Sequence, residues 1–154
     1  MPPLHQLVVF TLDDQRYAVS LSIVERVVRL VEITPVPGAP EIVCGVIDVE
    51  GCITPVVDIR KRFRLPAREL ALNDQLIVVR TQKRKVALVV NTVTEVVALP
   101  TEEVVMGETI LAPLDYVTGI VKRPDGLVLI PDLDMFLSLE EEQLLHSALD
   151  PLTL

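Results

Sequence analysis

The sequence predicts an all-β fold with short helices, built as a duplicated barrel or sandwich. Three observations carry that expectation. The first is an internal repeat: Tyr17-Ala-Val-Ser-Leu21 returns as Val86-Ala-Leu-Val-Val90, and Ile23-Val24 with Val27-Val28 returns as Thr92-Val93 with Val96-Val97, at a constant offset of 69 residues. Gly45, Gly51 and Pro55-Val-Val-Asp58 are echoed by Gly119, Gly126 and Pro131-Asp-Leu-Asp134. Two copies are too few for a solenoid, which needs at least about three repeats. The second is a series of short apolar runs separated by turn residues, the pattern of a barrel or sandwich rather than of a parallel α/β sheet. The third is the apolar alphabet: 50% of 154 residues are hydrophobic, yet aromatics are 3% and Trp is absent. The interior is therefore Val, Ile and Leu, which suit pleated, half-buried surfaces.

The elements follow in chain order. Leu7–Leu12, the polar turn Asp13-Asp-Gln-Arg16 and Tyr17–Val19 read as a hairpin. Ser20–Glu25 reads as the opening of a short helix, with Ser22 and Glu25 at capping-box spacing and Leu21, Val24 and Val27 or Val28 on one face. Pro35, Pro37 and Pro40 mark an extended loop. Val43–Ile47 and Ile53–Val57 are strands about the turn Asp48-Val-Glu-Gly51, and Asp58 caps a short helix over Ile59–Phe63.

The second half begins at Asn73-Asp74. Strands follow at Leu76–Val79, Val86–Val90, Val93–Leu99, Tyr116–Val121 and Leu127–Ile130. Ser138-Leu-Glu-Glu141 is a capping-box pattern opening an amphipathic helix with Leu144, Leu145 and Leu149 inward. Each half alone is about 70 residues, where one core barely supports folding, so the halves share apolar surface. The expected organisation is one domain over 1–154. Its first subdomain spans about 13–72 and its second about 73–134, with the N-terminal strand and a helix at 139–149 packing across.

Charge and residue chemistry narrow the function. A net charge of −8 argues against a general nucleic-acid binder, which needs a positive face. No run approaches the roughly 20 apolar residues of a membrane helix, and the first residues carry no secretory pattern, so a soluble intracellular protein is expected. A hairpin turning at Val49-Glu50 sets Asp48 opposite Gly51, Cys44 opposite Pro55 and Cys52 opposite Ile47; no disulfide is expected, and both cysteines read as small buried hydrophobes. His5 and His146 lie near the two ends, no His/Cys/Asp cluster has metal-ligand spacing, and no glycine loop cradles phosphate. Neither a metal nor a cofactor is expected. Asp13-Asp14, Asp58 and Lys122 imitate a phosphoacceptor pocket, in which carboxylates hold Mg²⁺ while one attacks a phosphoryl group. Such a pocket needs a parallel sheet with long crossover helices. Here a second strand follows Asp14 within a few residues, and Pro55 sits in what would be a central strand. A small-ligand sensor using the junction of the halves as its pocket is a third reading, weakened by few aromatics and few convergent polar groups.

Several stretches together resemble the CheW family of chemotaxis coupling proteins. They are Val9-Phe-Thr-Leu-Asp-Asp-Gln-Arg-Tyr17, Val24-Glu-Arg-Val27, Gly45-Val-Ile-Asp-Val-Glu-Gly51, Ile53-Thr-Pro-Val-Val-Asp-Ile-Arg60, Tyr116-Val-Thr-Gly-Ile120 and Ile130-Pro-Asp-Leu-Asp134. The resemblance covers nearly the whole chain. It implies two five-stranded SH3-like β-barrels side by side, and no catalysis. It implies an adaptor joining the cytoplasmic helical tip of transmembrane chemoreceptors to the regulatory domain of a CheA-type histidine kinase, without membrane insertion. By resemblance the kinase-facing positions are Val8, Leu21, Val24 and Val27. A receptor helix needs a groove, for which the junction of the barrels is expected, lined by Ile47, Ile77 and Val86 with Glu50 beside them. One departure stands out: where the family commonly carries Asn-Leu-Arg-Gly, this chain has Asp48-Val-Glu-Gly51, so a carboxylate replaces an arginine.

Overall fold

The computed structural model describes residues 4–66, 68–100, 104–106, 117–135 and 139–149. Eleven strands and one helix appear in this order: β1 Leu4–Leu12, β2 Gln15–Ser20, β3 Val24–Arg29, β4 Val43–Val49, β5 Cys52–Val57, β6 Gln75–Arg80, β7 Lys85–Val90, β8 Thr92–Pro100, β9 Val104–Met106, β10 Val117–Arg123, β11 Gly126–Pro131 and α1 Leu139–Leu149. Single 3₁₀ turns occupy Leu21–Ile23, Ile59–Lys61 and Leu133–Met135. The expected mostly-β architecture is therefore present.

The strands form one six-stranded sheet, β8-β1-β2-β11-β10-β9, and one five-stranded sheet, β3-β6-β7-β5-β4. Five strands were expected in each; β9, a three-residue strand, is the addition. β8 and β9 are the two edges of the first sheet yet lie three residues apart in sequence, so the chain itself turns the sheet toward closure. In the second sheet β3 and β4 are the edges, and the chain leaving β3 returns to pair Thr34 with Val46 of β4 through backbone hydrogen bonds of 2.9 and 2.8 Å. Gly45 makes this approach feasible: a Cβ there would lie 2.3 Å from the Thr34 carbonyl oxygen.

The sheets do not divide at residues 72/73. The hairpin β1–β2 of the first repeat lies in the sheet of β8–β11, and β6–β7 of the second repeat lies in the sheet of β3–β5. Each exchanged hairpin is joined to its host by one parallel pair, β2 on β11 (Val128 beside Arg16) and β7 on β5 (Val56 beside Ala87). The repeat is otherwise kept in detail. Register slips by one residue near Glu25 in β3 and near Thr94 in β8, which are 69 apart. It slips again near Cys44 in β4 and Thr118 in β10.

Three apolar clusters follow from this exchange. Leu7, Val9, Ala18, Leu99, Val121 and Val128 fill the first sheet's concave side. Ile47, Val56, Leu76, Val78, Ala87 and Val89 fill the second's. A larger cluster fills the seam, taking Val8, Phe10, Leu12, Tyr17 and Val19 from one sheet, Val57, Ile77, Val79, Val86, Leu88 and Val90 from the other, and Leu145 and Leu149 from α1. Phe10, Tyr17 and Phe63 stack in series, with ring centroids 5.9 and 4.7 Å apart, and so tie the sheets together. The exchanged strands are buried on both faces, which is why they read as unbroken apolar runs. α1 docks through Leu145 and Leu149, while Leu144 is exposed rather than inward. Ser138 of the expected capping box lies outside the described residues.

Candidate functional site

Among the described residues no group of three or more His, Cys, Asp or Glu is placed to hold a metal ion. Asp58 caps the 3₁₀ turn after β5, accepting from the Arg60 N–H at 3.1 Å. Its counterpart after β11 is Asp132 rather than Asp134; the Asp134 carboxylate instead accepts from the Gln82 N–H at 3.0 Å. Asp13 is taken by Arg60, whose buried guanidinium gives it two hydrogen bonds of 2.8 Å and a third, of 2.7 Å, to the Pro66 carbonyl. That bonding, with only partial opposition from burial, holds the Asp13 carboxyl below its ordinary range. Of the acidic residues that imitate a phosphoacceptor pocket, Asp13 and Asp58 are thus structural ties at the ends of antiparallel hairpins.

The seam is filled. A cavity lined by Val57, Val86, Leu88 and Leu133 measures about 20 Å³, room for about one water. Four of the expected contact residues lie inside. Val8, Ile77 and Val86 belong to the seam cluster and Ile47 to the five-stranded sheet's interior, all at 6% exposure or less. These four therefore wall no open groove between the sheets; the cleft that does open there, about 400 Å³, is lined instead by Val19, Ile23, Arg80, Thr81, Ile130 and Leu133, among others.

The other four lie at the surface, around β3. The segment from Ser20 is a single 3₁₀ turn followed by a strand, rather than a helix; Ser20, not Ser22, caps the turn by accepting from the Ser22 N–H. Helical spacing of Leu21, Val24 and Val28 was a coincidence produced by a 3₁₀ turn and a one-residue slip in register. β3 pairs with β6 alone and alternates half-buried with exposed positions. Leu21 and Val24 lean partly buried against the seam cluster, and Val27 is 38% exposed.

Charges flank this apolar strip. Glu25 receives Lys85 and Arg80, both at 3.0 Å, and their hydrogen bonds lower its pKa. Arg26 reaches Glu50 at 2.9 Å. Glu50 sits in the two-residue turn of the β4–β5 hairpin, where Val49 pairs with Cys52 and Asp48 with Ile53. The register is two residues from the expected one, because the turn is Glu50-Gly51 and both residues have positive φ, +49° and +86°. This is the geometry two-residue hairpins favour, here with a glutamate where Asn or Asp is usual. Asp48 steadies it by accepting from the Gly51 N–H at 2.7 Å. Cys52, beside the turn, is exposed rather than buried, whereas Cys44 is half-buried and burial raises its thiol pKa to about 11. Both cysteines are free.

Comparison with known proteins completes the description. Residues 6–141 match the family model of the CheW-like domain. The "Chemotaxis protein CheW" of Bacillus subtilis (strain 168) is 29% identical over 140 residues, covering 90% of each chain. The "Chemotaxis protein CheW" of Klebsiella aerogenes is 25% identical over 144 residues, covering 92% of this chain and 87% of that one. Among solved structures, the scaffolding protein TtCheW from Thermoanaerobacter tengcongensis superposes with a TM-score of 0.81 at 30% identity, covering 92% of this chain and 96% of that one. With the repeat, the paired barrels and this match over most of its length, the chain belongs to the CheW-like domain family.

Proposed function

We propose that this protein is a non-enzymatic adaptor that couples chemoreceptors to a CheA-type histidine kinase in bacterial chemotaxis or motility signalling. The family match over residues 6–141 carries that reading. The geometry supports it: what the fold presents is an apolar strip on an outer strand, bordered by ion pairs, on a body whose interior is filled. The kinase regulatory domain engages Leu21, Val24 and Val27, with Val8 beneath them. The receptor's helical tip engages the Glu50 turn; Ile47, Ile77 and Val86 are buried strand residues that hold the sheets in place. The protein acts in the cytoplasm and is recruited to membrane receptor arrays. Its mechanism is positional, since holding kinase and receptor in one lattice raises effective concentration and lets weak contacts suffice.

Arg26 bears on the unusual turn. The arginine the family commonly carries at position 50 is a glutamate here, and this chain supplies a cation from the adjacent β3. The surface at the turn therefore carries both signs of charge. A receptor tip that fits it presents an acid toward Arg26 and a base toward Glu50.

Two substitutions test the reading. Val24→Asp, which costs about 1 kcal/mol of stability at a half-buried strand position, abolishes kinase binding in isothermal titration while circular dichroism stays native. Retained affinity refutes the surface. Glu50→Arg faces Arg26 with a second cation and changes receptor affinity at least about tenfold, with little change in Tm. Equal binding by both forms removes Glu50 from the contact.

A further inference from the structure

A second surface lies away from β3, where the proline-rich strap crosses β4. There Pro35, Val36, Pro37, Val46, Ile47 and Ile53 form most of the wall of a cleft of about 620 Å³, bordered by Ala148 of α1. That volume is in the range of built binding clefts. The cleft is pre-formed, because Thr34 and Val46 exchange two backbone hydrogen bonds at its floor and Pro35 and Pro37 restrict the strap. Its wall includes Ile53, 44% exposed, an apolar side chain with no intramolecular reason to face water.

Its charge is one-sided. Among the described residues Glu32 and Asp48 are its only ionisable lining residues, and neither pairs there with a cation. We infer that this cleft is a docking site for an amphipathic protein segment that inserts aliphatic side chains and flanks them with lysine or arginine. Apolar walls select the aliphatic anchors, and the two carboxylates reject an acidic segment. Thr34 is the one neutral hydrogen-bonding side chain lining the cleft, so a small polar ligand would find few partners. Ile47, an expected receptor contact, also lines the cleft, but the inference rests on the cleft's own walls and charges and does not require the kinase or receptor contacts.

The probe is a fluorescent synthetic helix with leucines at i, i+3, i+4 and i+7 and lysines on its flanks, titrated by anisotropy against the full chain. Its twin carries glutamates for the lysines. The lysine helix binds at least about tenfold tighter than its twin. Glu32→Lys and Ile53→Asp each weaken it by a similar factor, whereas Glu95→Lys, the same charge change on the outer strand of the other sheet, leaves it unchanged. Circular dichroism confirms that each variant is folded. Equal binding of the two helices, loss in the Glu95→Lys control equal to that in Glu32→Lys, or indifference to both cleft substitutions overturns the inference. Concentration-dependent self-association that Ile53→Asp abolishes also overturns it, by assigning the cleft to a second copy.

Discussion

The exchanged hairpins and the outer strands are built from the same residues to opposite ends. β6 and β7 place Leu76–Val79 and Val86–Val90 in full burial, one face toward a barrel interior and the other toward the seam. β3 and β8, equally rich in valine, pair on one side only and leave Val27 and Val96 in water. Valine content does not separate structure from contact surface; the number of covered faces does. Substitution in a hairpin should cost the fold, and substitution in an outer strand should cost a partner.

The largest expected effect tests the first half of that statement. Ile77→Asp places a charge in the seam, where no cation faces it, and costs more than about 4 kcal/mol. Because each sheet holds the other repeat's hairpin, both sheets unfold in one thermal transition. Two separated transitions would show that the exchange does not couple them. Next in size is Gly45→Ala. Its Cβ meets the Thr34 carbonyl and Ile33, and neither can yield without opening the strap. A loss of about 3 kcal/mol is expected, confined at first to the five-stranded sheet and visible in hydrogen exchange at Thr34 and Val46.

Arg60→Ala sharpens the comparison at the tie between the sheets. Asp13, whose pKa is depressed, contributes stability that is fully present above the ordinary carboxylate range and is lost as pH falls through the depressed value. The variant lacks that contribution, so its Tm lies below the parent's at neutral pH and converges on it in acid. A gap that persists unchanged to low pH would mean that Arg60 acts through packing and its bond to Pro66 alone.

Much of the fold was legible because burial on two faces leaves a plain mark. The runs Leu7–Phe10 and Val86–Val90, the duplication and the cap at Asp58 are all visible in the sequence. The exchange of hairpins was not, since a strand's pattern records how many faces are covered but not which repeat covers them. The site was less legible for the same reason. Val8, Ile47, Ile77 and Val86 read as apolar strand positions, which is what they are, and nothing in their neighbours distinguishes a groove wall from a filled seam. β3 was misread because a slip in register near Glu25 shifts the strand period toward a helical one. The Arg26–Glu50 pair joins residues 24 apart across the edges of a closing sheet, a distance over which sequence carries no periodic signal. The position of Glu50 in the turn was visible, and only its partner was hidden.

The two parallel pairings have a mechanical meaning. β2 on β11 and β7 on β5 stitch a hairpin of each repeat into the sheet of the other. Pulling the two repeats apart would have to tear ladders of hydrogen bonds inside both sheets. Neither repeat can be withdrawn without dismantling the sheet that hosts its hairpin, so the two halves of the chain hold or fail as one body.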